Sequence, residues 1–263
     1  MNRRRLLAAL AAVTAGCAGR EATGTPTRTP SGLAAQGVPT TICSEPVAAD
    51  PGIHAVVEPA FAPDWTAHEI PDRYAPATGA VGGIDPEQTV VGLRDGDRAR
   101  AYPLELLAEH EAVCDRFGGP VLVSFCPICR SGVVADRRID GRASTFLVTG
   151  LLWRPERIQV AAAQRDGRAF GAERTGGRQV DVRASGNLVL LDTTTQSYWS
   201  QLLATGICGP ETGTRLSIRP STLSTWGAWR TANPDGEVLL PPPHSGVAET
   251  DRYAGVTPAA PPE

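Results

Sequence analysis

Apolar residues along this chain come in short runs broken by turn-forming residues, a pattern that predicts strands more than long helices. Thr89-Val90-Val91-Gly92-Leu93 and Ala99-Arg100-Ala101-Tyr102 flank Arg94-Asp95-Gly96-Asp97, which predicts a β-hairpin. Pro103 opens a predicted helix through Leu104, Leu106, Leu107, His110 and Val113, stopped by Gly118-Gly119. Val121-Leu122-Val123-Ser124-Phe125 reads as a buried strand that runs directly into Cys126-Pro127-Ile128-Cys129. Val133-Val134-Ala135 and Ser144-Thr145-Phe146-Leu147-Val148 follow as strands, with Asp140-Gly141 in the turn between them. Asn187-Leu188-Val189-Leu190-Leu191 is a further strand, and Trp199–Ala204 and Ser224–Ala232 read as short helices. Residues 154–186, rich in Arg and Gly, predict a long surface excursion.

These elements add up to an α+β fold: one strand-dominated domain with a few short helices over residues 41–255. Residues 256–263 are expected to form a disordered tail. No internal repeat is present.

The N-terminus predicts a location. Arg3, Arg4 and Arg5 precede an uncharged stretch, Leu6 to Gly16, too short for a hydrocarbon core that needs about 20 helical residues. The segment 1–16 therefore reads as a signal peptide. Asn2-Arg3-Arg4-Arg5-Leu6-Leu7 resembles a twin-arginine export signal. Ala15-Gly16-Cys17 resembles a lipobox, in which Cys17 takes lipid and becomes the first residue, although Thr14 stands where leucine is usual. Residues 17–40, rich in Thr, Pro and Gly, suit a flexible tether. The expectation is a domain held on the outer face of the membrane through Cys17, with that lipid as its membrane partner.

Composition narrows the chemistry. Of the 263 residues, 25 are basic and every one is arginine, against 28 acidic, for a net charge of −3. Without lysine there is no Walker A loop, no pyridoxal Schiff base and no aldolase-type imine. The slightly acidic balance, with no basic run beyond the N-terminus, argues against a nucleic-acid partner. No G-x-S-x-G motif occurs, and His54, His68 and His244 have no evident nucleophile partner in sequence.

The cysteines carry most of the remaining signal. There are six, Cys17, Cys43, Cys114, Cys126, Cys129 and Cys208, so lipidation at Cys17 would leave an odd number in an oxidising setting. Cys126 and Cys129 form a C-P-x-C pair, able to close a small, exchangeable disulfide or to grip a metal ion. Arg130-Ser131-Gly132 and strand-like residues follow, so the motif reads as a turn between strands and not as a helix start. His110 and Cys114 lie four apart on the predicted helix, which suggests a Cys₃His set with Cys126 and Cys129 for Zn²⁺ or Cu⁺. Against that, His110 and Cys114 share their predicted face with Leu107 and could both be core. Cys43–Cys208 and Cys114–Cys208 are both open as disulfides. Trp199, Trp226 and Trp229 fit a core better than a ligand pocket. Ser200 and Gln201 could orient a ligand beside the cysteines or cap a helix.

Six segments together resemble a known family. They are Ala101-Tyr102-Pro103, His110-Glu111, Cys126-Pro127-Ile128-Cys129-Arg130-Ser131-Gly132, Thr149-Gly150-Leu151-Leu152, Ser197-Tyr198-Trp199-Ser200-Gln201 and Pro220-Ser221-Thr222-Leu223-Ser224-Thr225-Trp226. In this order they resemble domain of unknown function 3179, an uncharacterised family, and its lipoprotein members in halophilic archaea. The resemblance covers about residues 86–255, and residues 154–186 resemble an insertion in halophile-like members. It supplies no activity. The family usually has Asn where this chain has Cys114 and often Gly where Arg130 stands. The resemblance thus implies a site built on His110, Cys126 and Cys129 alone.

Three functional expectations follow. The leading one is a bound soft metal ion, copper or zinc, held by His110, Cys126 and Cys129, with or without Cys114 as a fourth ligand. The second is thiol–disulfide exchange, with Cys126 attacking and Cys129 resolving. The third is a non-catalytic binding module in which Cys126–Cys129 is structural.

Overall fold

A computed structural model of the chain describes residues 40–49, 51–75, 79–153 and 186–259. The signal peptide, Cys17, most of the tether and nearly all of the 154–186 excursion lie outside the described residues, as does the end of the tail. Strands dominate. The first sheet has the order β16-β1-β5-β6-β7, from Gly246–Val247, Val56–Glu58, Ala112–Arg116, Pro120–Cys126 and Ser131–Asp136. A second, in the order β14-β3-β4-β15-β2, is built from Thr222–Thr225, Thr89–Asp95, Arg98–Pro103, Glu237–Leu239 and Phe61–Ala62. A third runs β10-β11-β12-β13, from Phe146–Trp153, Asn187–Asp192, Tyr198–Ser200 and Thr205–Cys208. A small pair, β8 (Arg138–Ile139) and β9 (Arg142–Ala143), carries the Asp140-Gly141 turn.

The near-continuous apolar run 121–125 has a direct structural reason. Strand β6 lies inside the first sheet, and that sheet is covered on both faces. Val121 and Val123 pack with Val90, Tyr102, Trp226 and Trp229 on one side. Leu122 and Cys126 pack with Phe146, Leu190 and Trp199 on the other. Alternation sends neighbouring side chains to opposite faces, so both must be apolar. A third cluster, around Leu147, Val189, Leu191 and Tyr198, covers the far face of the third sheet. The disulfide between Cys43 and Cys208 ties the N-terminal segment to it.

The hairpin β3–β4 forms as expected, Gly92 facing Ala101 and Asp95 facing Arg98, with Gly96 in the left-handed region at the turn. The helix after it is shorter than the periodicity implies. Helix α1 spans Leu104–His110 and stops at Glu111, whose φ is +56°. Residues from Ala112 onward then enter β5, between β1 and β6. Pairing on both edges, and burial of Ala112, Val113 and Cys114, outweigh a further helical turn. Residues 198–200 are likewise strand, followed by a turn through Ala204 and not a helix. The last predicted helix is present as α2, Trp226–Ala232, with Thr225 accepting from the Ala228 N–H as its N-cap; Ser224 and Thr225 close β14. No helix among the described residues is long and apolar enough to cross a membrane.

Candidate functional site at the cysteine hairpin

Strands β6 and β7 pair in antiparallel register from Val121–Asp136 to Cys126–Ser131, and residues 127–130 turn between them. The C-P-x-C motif is therefore the tip of a β-hairpin, as its following residues predict. Arg130 takes the left-handed conformation, φ +50°, that brings the chain back into β7. Cys126 and Cys129 lie within disulfide-bonding distance, their Cα atoms 5.5 Å apart.

The two sulfurs differ in environment. Cys126 belongs to the buried cluster between the first and third sheets and has no exposed surface. Cys129 is half-buried, and its neighbours Ile128 and Arg130 are exposed. The Cys129 backbone N–H donates to Cys126 Sγ at 3.3 Å. Cys129 is thus the sulfur on the solvent side of the pair, and Cys126 the one that faces the core. Burial on strand β6 leaves Cys126, the expected attacking thiol, on the core side of the pair.

Two contacts fix the hairpin. Gln201, buried at the turn after β12, donates from Nε2 to the Ser131 carbonyl at 3.0 Å, and its Oε1 accepts from Ser131 Oγ at 3.0 Å. From the other side the Glu111 carbonyl accepts from Phe125 N–H at 3.0 Å and Ser124 Oγ at 2.6 Å. The turn from α1 into β5 thus grips the strand one residue before Cys126.

His110 is committed elsewhere. Its Nδ1–H donates to the His54 carbonyl at 2.8 Å, and Nε2 then accepts from the Tyr74 hydroxyl at 3.1 Å. Burial holds its pKa below the usual range, so it is neutral at pH 7. Both ring nitrogens are occupied without reaching the cysteines. Cys114 is a separate, buried free thiol in the middle of β5. Its sulfur accepts from Phe146 N–H at 3.2 Å, and burial pushes its pKa up. The shared helical face proposed for His110 and Cys114 does not exist, because a helix end and a strand separate them. Among the described residues no group of three or more His, Cys, Asp or Glu is placed to hold a metal ion. Cys208 pairs with Cys43, which settles that alternative in favour of Cys43–Cys208.

Glu111 is the residue that sequence reasoning passed over. It is 3% exposed, and burial pushes its carboxyl up to about 7. The only sequence signal was its place in the His110-Glu111 pair. Ser131 was equally inconspicuous, although it receives both ends of Gln201. Trp199, Trp226 and Trp229 are buried in the two cores that flank the first sheet. Ser200 is a buried donor to Asn187 Oδ1 at 2.6 Å, so neither it nor Gln201 caps a helix.

No curated protein and no solved structure matches the chain. A family model does match over residues 52–159 and 166–255, which include the cysteine hairpin and the segments that hold it, and the chain therefore belongs to the family described as Protein of unknown function (DUF3179).

Proposed function

We propose that this chain is an exported, lipid-anchored protein whose Cys126–Cys129 pair exchanges between disulfide and dithiol with the thiols of a partner. The observation that carries this reading is the asymmetry of the pair: two sulfurs within bonding distance at a hairpin tip, one buried and one half-exposed. Exposure of one sulfur gives an incoming thiolate a target, and the Cys129 N–H gives the departing sulfur a stabilising donor.

The exchange balances without another reagent. A partner thiolate attacks Cys129 Sγ, the Cys126–Cys129 bond breaks, and Cys126 leaves as a thiolate that takes up a proton. A second partner thiol, as thiolate, then attacks the mixed disulfide and releases Cys129. The partner dithiol loses two electrons and two protons, and the pair gains both. The reverse sequence reduces a partner disulfide.

This reading is favoured over a soft-metal site because His110, the third ligand that such a site would use, has both ring nitrogens engaged. Export and anchoring rest on the sequence of residues 1–17, namely the arginine run, the short apolar stretch and Cys17.

Two variants test the exchange. In Cys126→Ser, Cys129 should form a mixed disulfide with oxidised glutathione, releasing one reduced glutathione, while in Cys129→Ser the buried Cys126 should react at least about tenfold more slowly, following its access. Equal inertness of both variants would defeat the reading. Cys17→Ser should release the protein from membranes, and retention would defeat the lipid anchor.

A further inference from the structure

Strand β7 is an edge strand of the first sheet, and its outer side is only partly covered. Val134 O accepts from Arg219 N–H at 2.8 Å, and Asp136 N–H donates to Ser217 O at 2.8 Å. Residues 217–219 thus lie along the far half of β7, with Ala135 facing Ile218 in antiparallel sense. Alternation then fixes the near half. Val134 and Asp136 point their backbone groups outward, so Gly132 does too, while Ser131 and Val133 face β6.

Gly132 is exposed, and no backbone group among the described residues pairs with its N–H or C=O. The covering segment stops at Arg219, and the chain turns away to join β3 as β14, Thr222–Thr225, before it reaches Gly132. Among the described residues, a donor and acceptor without backbone partners therefore sit on a sheet edge three residues from the half-exposed Cys129. Exposed Ile128, at 39% of its surface, lies in the connecting turn.

Resting on the thiol-exchange reading, we propose that the partner is an extended cysteine-bearing polypeptide that adds as a strand at Gly132. The pair of hydrogen bonds at Gly132 would hold the segment parallel or antiparallel to β7, and its cysteine would meet Cys129. The edge is built for this addition: it already accepts residues 217–219 further along. A Cβ at position 132 would come within 3.2 Å of the Ser124 carbonyl oxygen.

The test uses the full-length Cys126→Ser protein and activated disulfides that share one leaving group, thiopyridone. One probe is a short peptide with apolar residues around a central cysteine; the other is glutathione. Two further peptides carry N-methyl groups on alternate backbone nitrogens, one set on each parity. The Cys126→Ser/Cys129→Ser double variant gives the background. The peptide should modify Cys129 about tenfold faster than glutathione, the value of two ordinary hydrogen bonds together. Methylation on one parity should abolish that advantage, and methylation on the other should leave it. Reduction of the wild-type disulfide by the corresponding free thiols should give the same order, independently of the serine variant. Equal rates for peptide and glutathione, or indifference to both methylations, would overturn the strand-addition proposal and leave thiol exchange standing. No modification of Cys129 by any probe would overturn both.

Discussion

Gln201 and Ser131 are joined twice: the amide of Gln201 donates to the Ser131 carbonyl and accepts from the Ser131 hydroxyl, each at 3.0 Å. This double contact connects the turn after β12, in the third sheet, to the hairpin of the first sheet that carries the cysteine pair. Gln201 is 1% exposed, so its amide has little access to compensating water. Gln201→Ala should leave the Ser131 groups short of partners and cost about 1–3 kcal/mol in denaturant unfolding. The Cys126–Cys129 bond should also become easier to reduce, since the hairpin tip loses its support. A variant with unchanged stability and unchanged reducibility would remove Gln201 from the account.

The two disulfides should contribute very differently to stability. Cys43–Cys208 spans a sequence separation of 165, whereas Cys126–Cys129 spans 3. Chain-entropy arguments give the long loop up to about 5 kcal/mol and the short one about 2 kcal/mol. Cys208→Ser should therefore lower the unfolding free energy by about 3–5 kcal/mol. Cys129→Ser should cost about 2 kcal/mol or less while removing the interchange between disulfide and dithiol. Unfolding curves for the two variants decide the point, and equal losses would contradict it.

Glu111 should make stability depend on pH in a direction opposite to most carboxylates. Its folded pKa is raised from 4.5 to about 7 by burial, so ionising it is harder in the fold than in the unfolded chain. Its contribution is intact below about pH 4.5, falls as the pH rises through the range to 7, and reaches its full cost above that. The shift corresponds to about 3 kcal/mol. Glu111→Gln should match the parent near pH 4 and exceed it at pH 8 by up to that amount. His110 has the reverse sense: its pKa is lowered by burial, so stability falls as the pH drops through 6.5. Unfolding of Glu111→Gln across this range should isolate the His110 limb, and the same pH profile as the parent would contradict the burial argument.

Gly92 and Trp229 give a packing test away from the cysteines. A Cβ on Gly92 would collide with the Trp229 ring, which packs directly on β3 where Gly92 pairs with Thr222. Gly92→Ala should destabilise the fold by about 1–3 kcal/mol through overpacking, measured by thermal or denaturant unfolding. A neutral result would mean that α2 shifts freely on the sheet.

Much of this architecture is legible in the chain, and the reasons for the exceptions are local. The hairpin 89–103 and the strand entering Cys126 follow from alternation and turn residues that agree with the final packing. The end of α1 was hidden because Ala112-Val113-Cys114 continues an apolar spacing that also fits a helix. Only pairing with β1 and β6 makes it a strand. The Cys₃His idea depended on that helix and lost Cys114 with it. The segment 198–204 misled in the same way, since Trp199 and Ser200 owe their strand to partners on β11 and β13. The asymmetry between Cys126 and Cys129 could not be read from a C-x-x-C spacing, which is silent on which sulfur faces the core. The open edge at Gly132 likewise requires knowing where residues 217–219 stop.

The central claim is that Cys126–Cys129 is an exchangeable redox pair, and its equilibrium potential tests that most directly. The full-length protein would be equilibrated in graded glutathione buffers, alkylated, and weighed intact to follow each disulfide. The account predicts a midpoint for Cys126–Cys129 between about −120 and −270 mV, the span of thiol-exchange proteins, with Cys43–Cys208 still oxidised there. A midpoint for Cys126–Cys129 below about −300 mV, in the range of structural disulfides, would contradict it.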